Sequence, residues 1–326
     1  MKKIIQLKKT FKYNFEYPQR LDKYLKNELP KLSRTNIQKL IENNYVLVDD
    51  FLVKPSFQLK LNQIVKIDTK DFKNKKSHLK PEKMKLDILY EDNDILVLNK
   101  NSGIVVHPGI GNPSSTLLNG VLYYCENLSN MNDERPGVIH RLDKETSGVI
   151  VFAKNNESHY NISEQFANRE IKKDYRAIIW GNFNEEININ GFLRRDPKNR
   201  LKFKLFNSSG KKSTSFIKPK MSYSLPLSLV SIFPLTGRTH QIRVHLSSIG
   251  HPIIKDDLYN GGDSMISGFH EKDRHKIMKI ISQINRFALH AKTIELKHPK
   301  TKNNMVFEAP YPTDFINVLE KLNEYK

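Results

Sequence analysis

Asp143 lies in the run His140-Arg141-Leu142-Asp143-Lys144-Glu145-Thr146-Ser147-Gly148, one carboxylate set among cations and hydroxyls. Nearby positive charge and hydrogen-bond donors favour the ionised form of such a group. It can then serve as a nucleophile or as half of a surface ion pair, and local chemistry alone does not choose. Glu145 has the spacing of a paired glycosidase carboxylate; Lys144 and Thr146, however, predict a loop that leaves it in solvent. A second polar constellation, Thr236-Gly237-Arg238-Thr239-His240-Gln241-Ile242-Arg243-Val244-His245-Leu246, offers cations that could hold an anion. Its histidines have no acidic partner at metal-ligand spacing, so no metal site is expected.

These residues need elements to hold them. The apolar run Val149–Ala153 predicts a buried strand directly behind the Asp143 loop. Ser228–Pro234 predicts another, leading through a glycine turn into a helix whose Ile242, Leu246 and Ile249 share one face. Arg243 then falls one turn into that helix. Ile171–Gly181 predicts a strand bearing Tyr175, where a lone tyrosine would ordinarily be core. Leu86–Tyr90 and Ile95–Asn99 predict a hairpin, Ser158–Ala167 a helix, and Ala288–Leu296 with Met305–Glu308 a second hairpin. Thr313 is expected to cap a last helix. Residues 182–227 are polar and turn-rich, with basic pieces at Arg194-Arg195 and Lys211-Lys212. Residues 262–287 have the character of an insertion with one helix around Ile277–Ile284. Gly103, Gly109 and Gly111 suit tight turns, and His107 a structural turn. Short strands outnumber helices, so the fold class is α+β, a mixed and largely antiparallel sheet with flanking helices.

The N-terminal part has its own pattern. Residues 1–15 carry five lysines and no acid, a basic arm or an added strand. Leu21, Leu25 and Leu29 predict a helix ended by Pro30, and Ile37, Leu40 and Ile41 a second one with Ser33 as its cap. Tyr45–Val48, Val53–Phe57 and Ile64–Ile67 predict short strands. Residues 16–69 thus form a small α/β domain, separated from a catalytic domain at 86–326 by the linker 70–85, which holds seven lysines.

The 326 residues carry 54 Lys plus Arg against 35 Asp plus Glu, a formal net charge of +19. That field recruits polyanions, nucleic acid foremost. No apolar run of about 18 residues is present, so no membrane span is predicted, and the basic N-terminus lacks the uninterrupted apolar core of a secretory signal. Cys125 is the only cysteine, which excludes an internal disulfide and a Cys-rich zinc site. A cytoplasmic monomer is the expectation.

The motif HRLD-x-x-TSG resembles the catalytic signature of the RluA-type pseudouridine synthases, whose catalytic aspartate corresponds to Asp143. NKNSGIVVHPG resembles the family's first motif, with Asn101 where members commonly carry proline. KDYRAIIWG is similar to the K-x-Y-x-A element, TGRTHQIRVHL…GHPI to the third motif, and LHAKTIELKHPKTK…FEAPYP to the closing hairpin. RLDKYL…LSRTNIQKLIENNYVLVDD resembles the S-four type of RNA-binding domain. The resemblance implies the pseudouridine synthase fold and isomerisation of uridine to pseudouridine in RNA, with no cofactor. A flipped-out uridine would meet Asp143, which could attack the ribose anomeric carbon or add to the uracil ring. Tyr175 would stack on the base, and Arg243 would fork onto Asp143 to keep it charged. Arg141 would fill the vacated space or hold a phosphate, with His140, Arg238 and His240 nearby. Arg20, Ser33 and Arg34 would face the RNA backbone. VVHPGIGNPSSTLLNGVLYY and GHPIIKDDLYNGG are most similar to synthases of the RluD kind, which act on large-subunit ribosomal RNA. The alternatives are a sibling acting on other rRNA or tRNA uridines, a non-catalytic ribosome-assembly factor, and a glycosidase of free nucleosides. The Asp143, Tyr175 and Arg243 set argues against the second, and the net charge against the third.

Overall fold

The computed structural model describes residues 8–30, 32, 34–69, 79–109, 111–132 and 134–326. Two units are distinguished by their internal contacts: Met1–Leu79 with Leu128–Gly137, and Lys80–Asn127 with Val138–Lys326. In the first, the lysine-rich start supplies strand β1 (Lys8–Lys12). Then come β2 (Gln19–Arg20), helices α1 (Leu21–Glu28) and α2 (Arg34–Glu42), and strands β3 (Val46–Val48), β4 (Phe51–Leu52), β5 (Gln58–Leu59) and β6 (Ile64–Asp68). β1, β6, β3 and β4 form an antiparallel sheet in that order. The four-residue spacing of apolar side chains is expressed as a core: Leu21, Leu25, Ile37 and Ile41 pack with Tyr13, Val46 and Val65. Val53–Phe57, predicted as a strand, is instead a turn between β4 and β5. Pro55 and Ser56 sit in that turn, where proline's fixed φ is at home.

The second unit is one ten-stranded sheet with helices. Its elements are β7 (Ile88–Glu91), β8 (Ile95–Lys100), α3 (Leu117–Tyr124), β9 (Ser147–Ala153), α4 (Asn156–Ala167), β10 (Lys172–Trp180), β11 (Ile187–Arg195), β12 (Phe203–Phe206), β13 (Lys211–Ser222), β14 (Leu227–Pro234), α5 (Gln241–Ser248), α6 (Glu271–Ile281), β15 (Leu289–Lys297), β16 (Asn304–Glu308) and α7 (Thr313–Asn323). The strand order is β12-β11-β13-β14-β10-β15-β9-β8-β7, with β16 paired to β15. Every strand pair is antiparallel except β15 with β9. The mixed, largely antiparallel α+β fold is therefore present.

β9 is buried along its whole length, as an interior strand covered on both faces must be. It begins where the Asp143 loop ends. Gly148, with φ +113°, lies against the backbone of β15, and a Cβ there would collide with the Ala291 carbonyl. Only glycine lets the two strands meet at that point.

Residues 182–227 are not the turn-rich segment that their polarity predicts; they form β11, β12 and β13. The inward positions of β13 carry Ser213 and Ser215 before Ile217, and all three are buried. The Ser213 hydroxyl is 3.0 Å from His245 Nε2, and Ser215 Oγ accepts from Gln241 Nε2 at 2.9 Å. Buried serines with partners hide a strand from a reading that looks for apolar alternation. Helix α3, unforeseen from sequence, starts at a capping box of Thr116 and Asn119. Helix α7 starts at Thr313 with Pro312 in the cap position and no side-chain cap.

Candidate active site

The Asp143 loop, the Tyr175 strand and the Arg243 helix converge on one cleft, lined also by Arg141, Thr146, Lys173, Arg238 and His240. Asp143 is 19% exposed and its Oδ2 stands 3.6 Å from Arg243 Nη1. The guanidinium fork expected on Asp143 is spent elsewhere: Arg243 Nε and Nη2 both donate at 2.7 Å to the carboxylate of Asp256. A two-point fork fixes a plane, so Asp256 orients Arg243 and leaves Nη1 directed at Asp143. The guanidinium also lies over the rings of Phe287 and Tyr259, 4.3 and 4.8 Å from their centroids, contacts that favour a desolvated cation. Asp256, buried and 13 residues beyond Arg243, was missed in the sequence because no local pattern ties the two.

Tyr175 lies on β10 between Ile232 of β14 and Ala291 of β15. Burial, and then the negative Asp143, push its phenol far above the ordinary tyrosine range, so it is a neutral ring on the cleft wall. His240 occupies the left-handed region at φ 56° just before α5. Its Nδ1 lies 2.8 Å from the Tyr259 hydroxyl, which accepts from Phe203 N–H at 2.9 Å. Burial lowers the His240 pKa against the opposing pull of Asp143. Arg141 and Arg238 are exposed, and Arg238 Nε donates to the Lys212 carbonyl at 3.1 Å.

His140 has a structural task instead of an outward one. Its Nε2 accepts from Val151 N–H at 2.9 Å and its ring packs beside Phe166, tying the loop to β9. Burial holds its pKa down at about 3, so it stays neutral. Arg20 and Arg34, expected to face RNA phosphates, both fork onto Asp22 in the other unit. Burial of Asp22 would raise its pKa, but hydrogen bonds from Arg20, Arg34 and Gln38 outweigh it and hold the carboxyl well below the usual range. Arg34 and Gln38 therefore pin α2 to α1 through that buried carboxylate, while Arg20 holds it from the end of β2. Ser33 lies outside the described residues.

Two further cations were invisible in the sequence. Lys100, fully buried at the end of β8, donates to the carbonyls of Asn101, Ile104 and Lys144 at 2.8, 2.8 and 3.0 Å. Burial lowers its pKa to about 7. Glu145, expected in solvent, is half-buried, and its carbonyl is held by Arg286 at 3.0 Å. Among the described residues, Asp92, Asp94 and His298 come close enough to suggest metal ligands. Their facing atoms are engaged: Asp92 takes Tyr90 O–H, two backbone N–H groups and His298, and Asp94 takes Asn155 and Ser158. That cluster reads as a latch between β7–β8 and β15–β16.

At the end of the sheet, β11 and β13 join the two basic pieces that are separate in sequence, Leu193 pairing with Lys211 and Phe192 with Lys212. Arg194 lies over Phe206 and Arg195 over Phe203. With Lys198, Arg200, Lys202 and Lys204 they make a cationic hairpin carrying the single acid Asp196.

The RNA pseudouridylate synthase family matches residues 94–248, and the S4 domain matches residues 19–65. An uncharacterized RNA pseudouridine synthase of Chlorobaculum parvum is 36% identical over 314 residues, 94% of each chain. A ribosomal large subunit pseudouridine synthase D of Neisseria meningitidis serogroup B is 36% identical over 303 residues, 93% of this chain and 78% of that protein. Among solved structures, human RNA pseudouridylate synthase domain containing 1 superposes with a TM-score of 0.52 at 26% identity, covering 70% of this chain and 84% of its own. A carboxylate cleft built on the matched segment, in a chain this similar along its length, leaves one conclusion: the protein belongs to the RNA pseudouridylate synthase family, an isomerase of RNA uridines that also carries an S4 domain.

Proposed function

We propose that this enzyme isomerises uridines of large-subunit ribosomal RNA, with Asp143 as the nucleophile on a flipped-out uridine. The observation that carries the chemistry is the Asp143–Arg243–Asp256 line: a partly exposed carboxylate 3.6 Å from a cation that a second, buried carboxylate holds in plane. Isomerisation breaks C1′–N1, forms C1′–C5 and moves one hydrogen from C5 to N1. No oxidant or energy source enters that balance. A carboxylate can carry the sugar or the ring through the step, and the neighbouring guanidinium lies close enough to orient it. Tyr175 supplies a flat, uncharged face for the uracil after it leaves its stack. As a phenol with a raised pKa it acts by stacking more readily than by taking the ring proton.

The ribosomal target is supported by relatives named ribosomal large subunit pseudouridine synthase D, and the cationic hairpin suits a long RNA backbone. The test is Asp143→Asn, which keeps the side-chain volume and removes the charge. Pseudouridine formation in a large-subunit RNA transcript should stop, while RNA affinity changes by less than about tenfold, ~1.4 kcal/mol. Full turnover by Asp143→Asn would end the nucleophile reading. Carbodiimide sequencing of RNA from a deletion strain locates the target; loss of marks only in tRNA would replace the ribosomal assignment.

A further inference from the structure

The Asp143–Arg243 pair is assembled from two separately held parts, and one short segment touches both. Asp143 sits on a tight turn in which its carbonyl accepts from Thr146 N–H at 3.1 Å. Arg286, just before β15, reaches that turn from the neighbouring parallel strand. Its Nη1 donates to the Glu145 carbonyl at 3.0 Å, and its Nη2 lies 3.3 Å from Ser147 Oγ. The next residue, Phe287, places its ring 4.3 Å from the Arg243 guanidinium. Residues 286 and 287 therefore hold the nucleophile's turn and the nucleophile's counter-cation, one each.

The segment is itself anchored. Arg286 Nε and Nη2 fork onto Asp314, at the first turn of α7, at 2.7 and 3.0 Å. Ser147 is only 2.9 Å from His290 Nδ1, while His290 Nε2 faces the Ala309 carbonyl at 3.3 Å. With the imidazole proton on Nε2, every donor in the chain Arg286, Ser147, His290 has an acceptor. Arg286 is buried and neutralised by a carboxylate that lies outside the cleft. A cation in that state does not bind RNA; its fan of donors spans a turn, a hydroxyl and a helix, which a lysine cannot do.

We infer that the Arg286–Phe287 segment, anchored by Asp314, is the positioning element that sets the Asp143–Arg243 separation. The inference rests on Asp143 being the nucleophile. Because reacting groups lose rate steeply when displaced by about 1 Å, on the order of 10²-fold, freeing the turn should slow chemistry without weakening RNA binding.

Single-turnover conversion of a large-subunit RNA fragment by excess full-length enzyme separates the possibilities. The rate constant reports geometry, and the amplitude reports the folded fraction. Arg286→Met should lower the rate constant on the order of 10²-fold, with the enzyme concentration at half-saturation unchanged. Arg286→Lys, which keeps the charge for Asp314, should recover only part of that rate, and it serves as the reading if Arg286→Met does not fold. Asp314→Asn, with Arg286 intact but unanchored, should show a smaller loss of the same kind. Wild-type rate constants in the folded variants, with loss confined to amplitude, overturn the inference and leave Arg286 a stability residue. Asp143→Asn run in parallel keeps the two readings apart: an active Asp143→Asn removes the nucleophile itself, whereas an inactive one beside a fast Arg286→Met removes only the positioning role.

Discussion

At the scale of single residues, the cleft is an arrangement of committed and uncommitted charge. Arg243 is shared: two of its nitrogens belong to Asp256 and a third faces Asp143. Lysine at this position could supply charge to one carboxylate but not orient itself with the other. Arg243→Lys should therefore lose at least about tenfold in kcat with KM little changed, the signature of an interaction needed in the transition state. Steady-state kinetics on one RNA decide it; an unchanged kcat would make Arg243 merely the partner of Asp256. For Tyr175 a stacking role predicts that Tyr175→Phe keeps most of its turnover and Tyr175→Ala does not. A large loss in the Phe variant would instead assign work to the hydroxyl. Asp143, Tyr175 and Arg243 were legible because each lies in a contiguous motif. Asp256 and Arg286 were not, since their partners are reached only after folding, nor was Lys100, whose complete burial no local pattern signals. Arg20 and Arg34 carry a partner that their sequence context did not show: a basic residue on a polar helix face looks free until the buried Asp22 between them is known.

At the scale of elements, three histidines show how the loop and the sheet are fastened. His140 accepts from β9, His290 supports the Asp143 turn through Ser147, and His245 joins α5 to β13 through Ser213. Burial lowers the pKa of His290 and of His245 to about 4 each. An unfolded histidine titrates near 6.5, so between those values the unfolded chain binds more protons than the folded one. Stability is then fully present above about pH 6.5 and is lost as pH falls toward about 4, by up to about 3 kcal/mol for each of these two groups. Thermal unfolding followed from pH 7 to 4.5 should show that decline, and His245→Gln should flatten it. A midpoint constant over the range would mean that the imidazoles take up protons as readily in the fold as in the unfolded chain. The same elements mark where sequence reading worked: β8, β9, β10 and β14 carry apolar runs, and β15 alternates with Ile294 and Leu296 inward. It failed for β13, whose inward Ser213 and Ser215 offer no apolar contrast, for β11, whose Ile187-Asn188-Ile189-Asn190 alternation is short and broken by Gly191, and for the turn at Pro55, where Val53 and Phe57 mimic the ends of a strand.

At the scale of the whole molecule, the net charge of +19 must be divided between cations that meet RNA and cations consumed internally. Arg20, Arg34, Lys100, Arg243 and Arg286 are all engaged with carboxylates or carbonyls. The hairpin cations Lys198, Arg200, Lys202, Lys204, Lys211 and Lys212 are largely exposed. Each phosphate neutralised by such a residue adds nearly one to the slope of log affinity against log salt. Substituting Lys198, Arg200 and Lys204 together by Gln should therefore reduce that slope by about two to three. The single-turnover rate at saturating enzyme should stay within about twofold, because none of the three lines the cleft. Removing the S4 unit by starting the chain near Lys80 should lower the slope independently, and the two reductions should add if separate phosphates are involved. Titrations at four salt concentrations on one RNA, for wild type, each change and the combination, read both terms. A slope untouched by the hairpin substitutions would show that the exposed charge on β11–β13 serves colloidal repulsion and leaves the RNA to other surfaces.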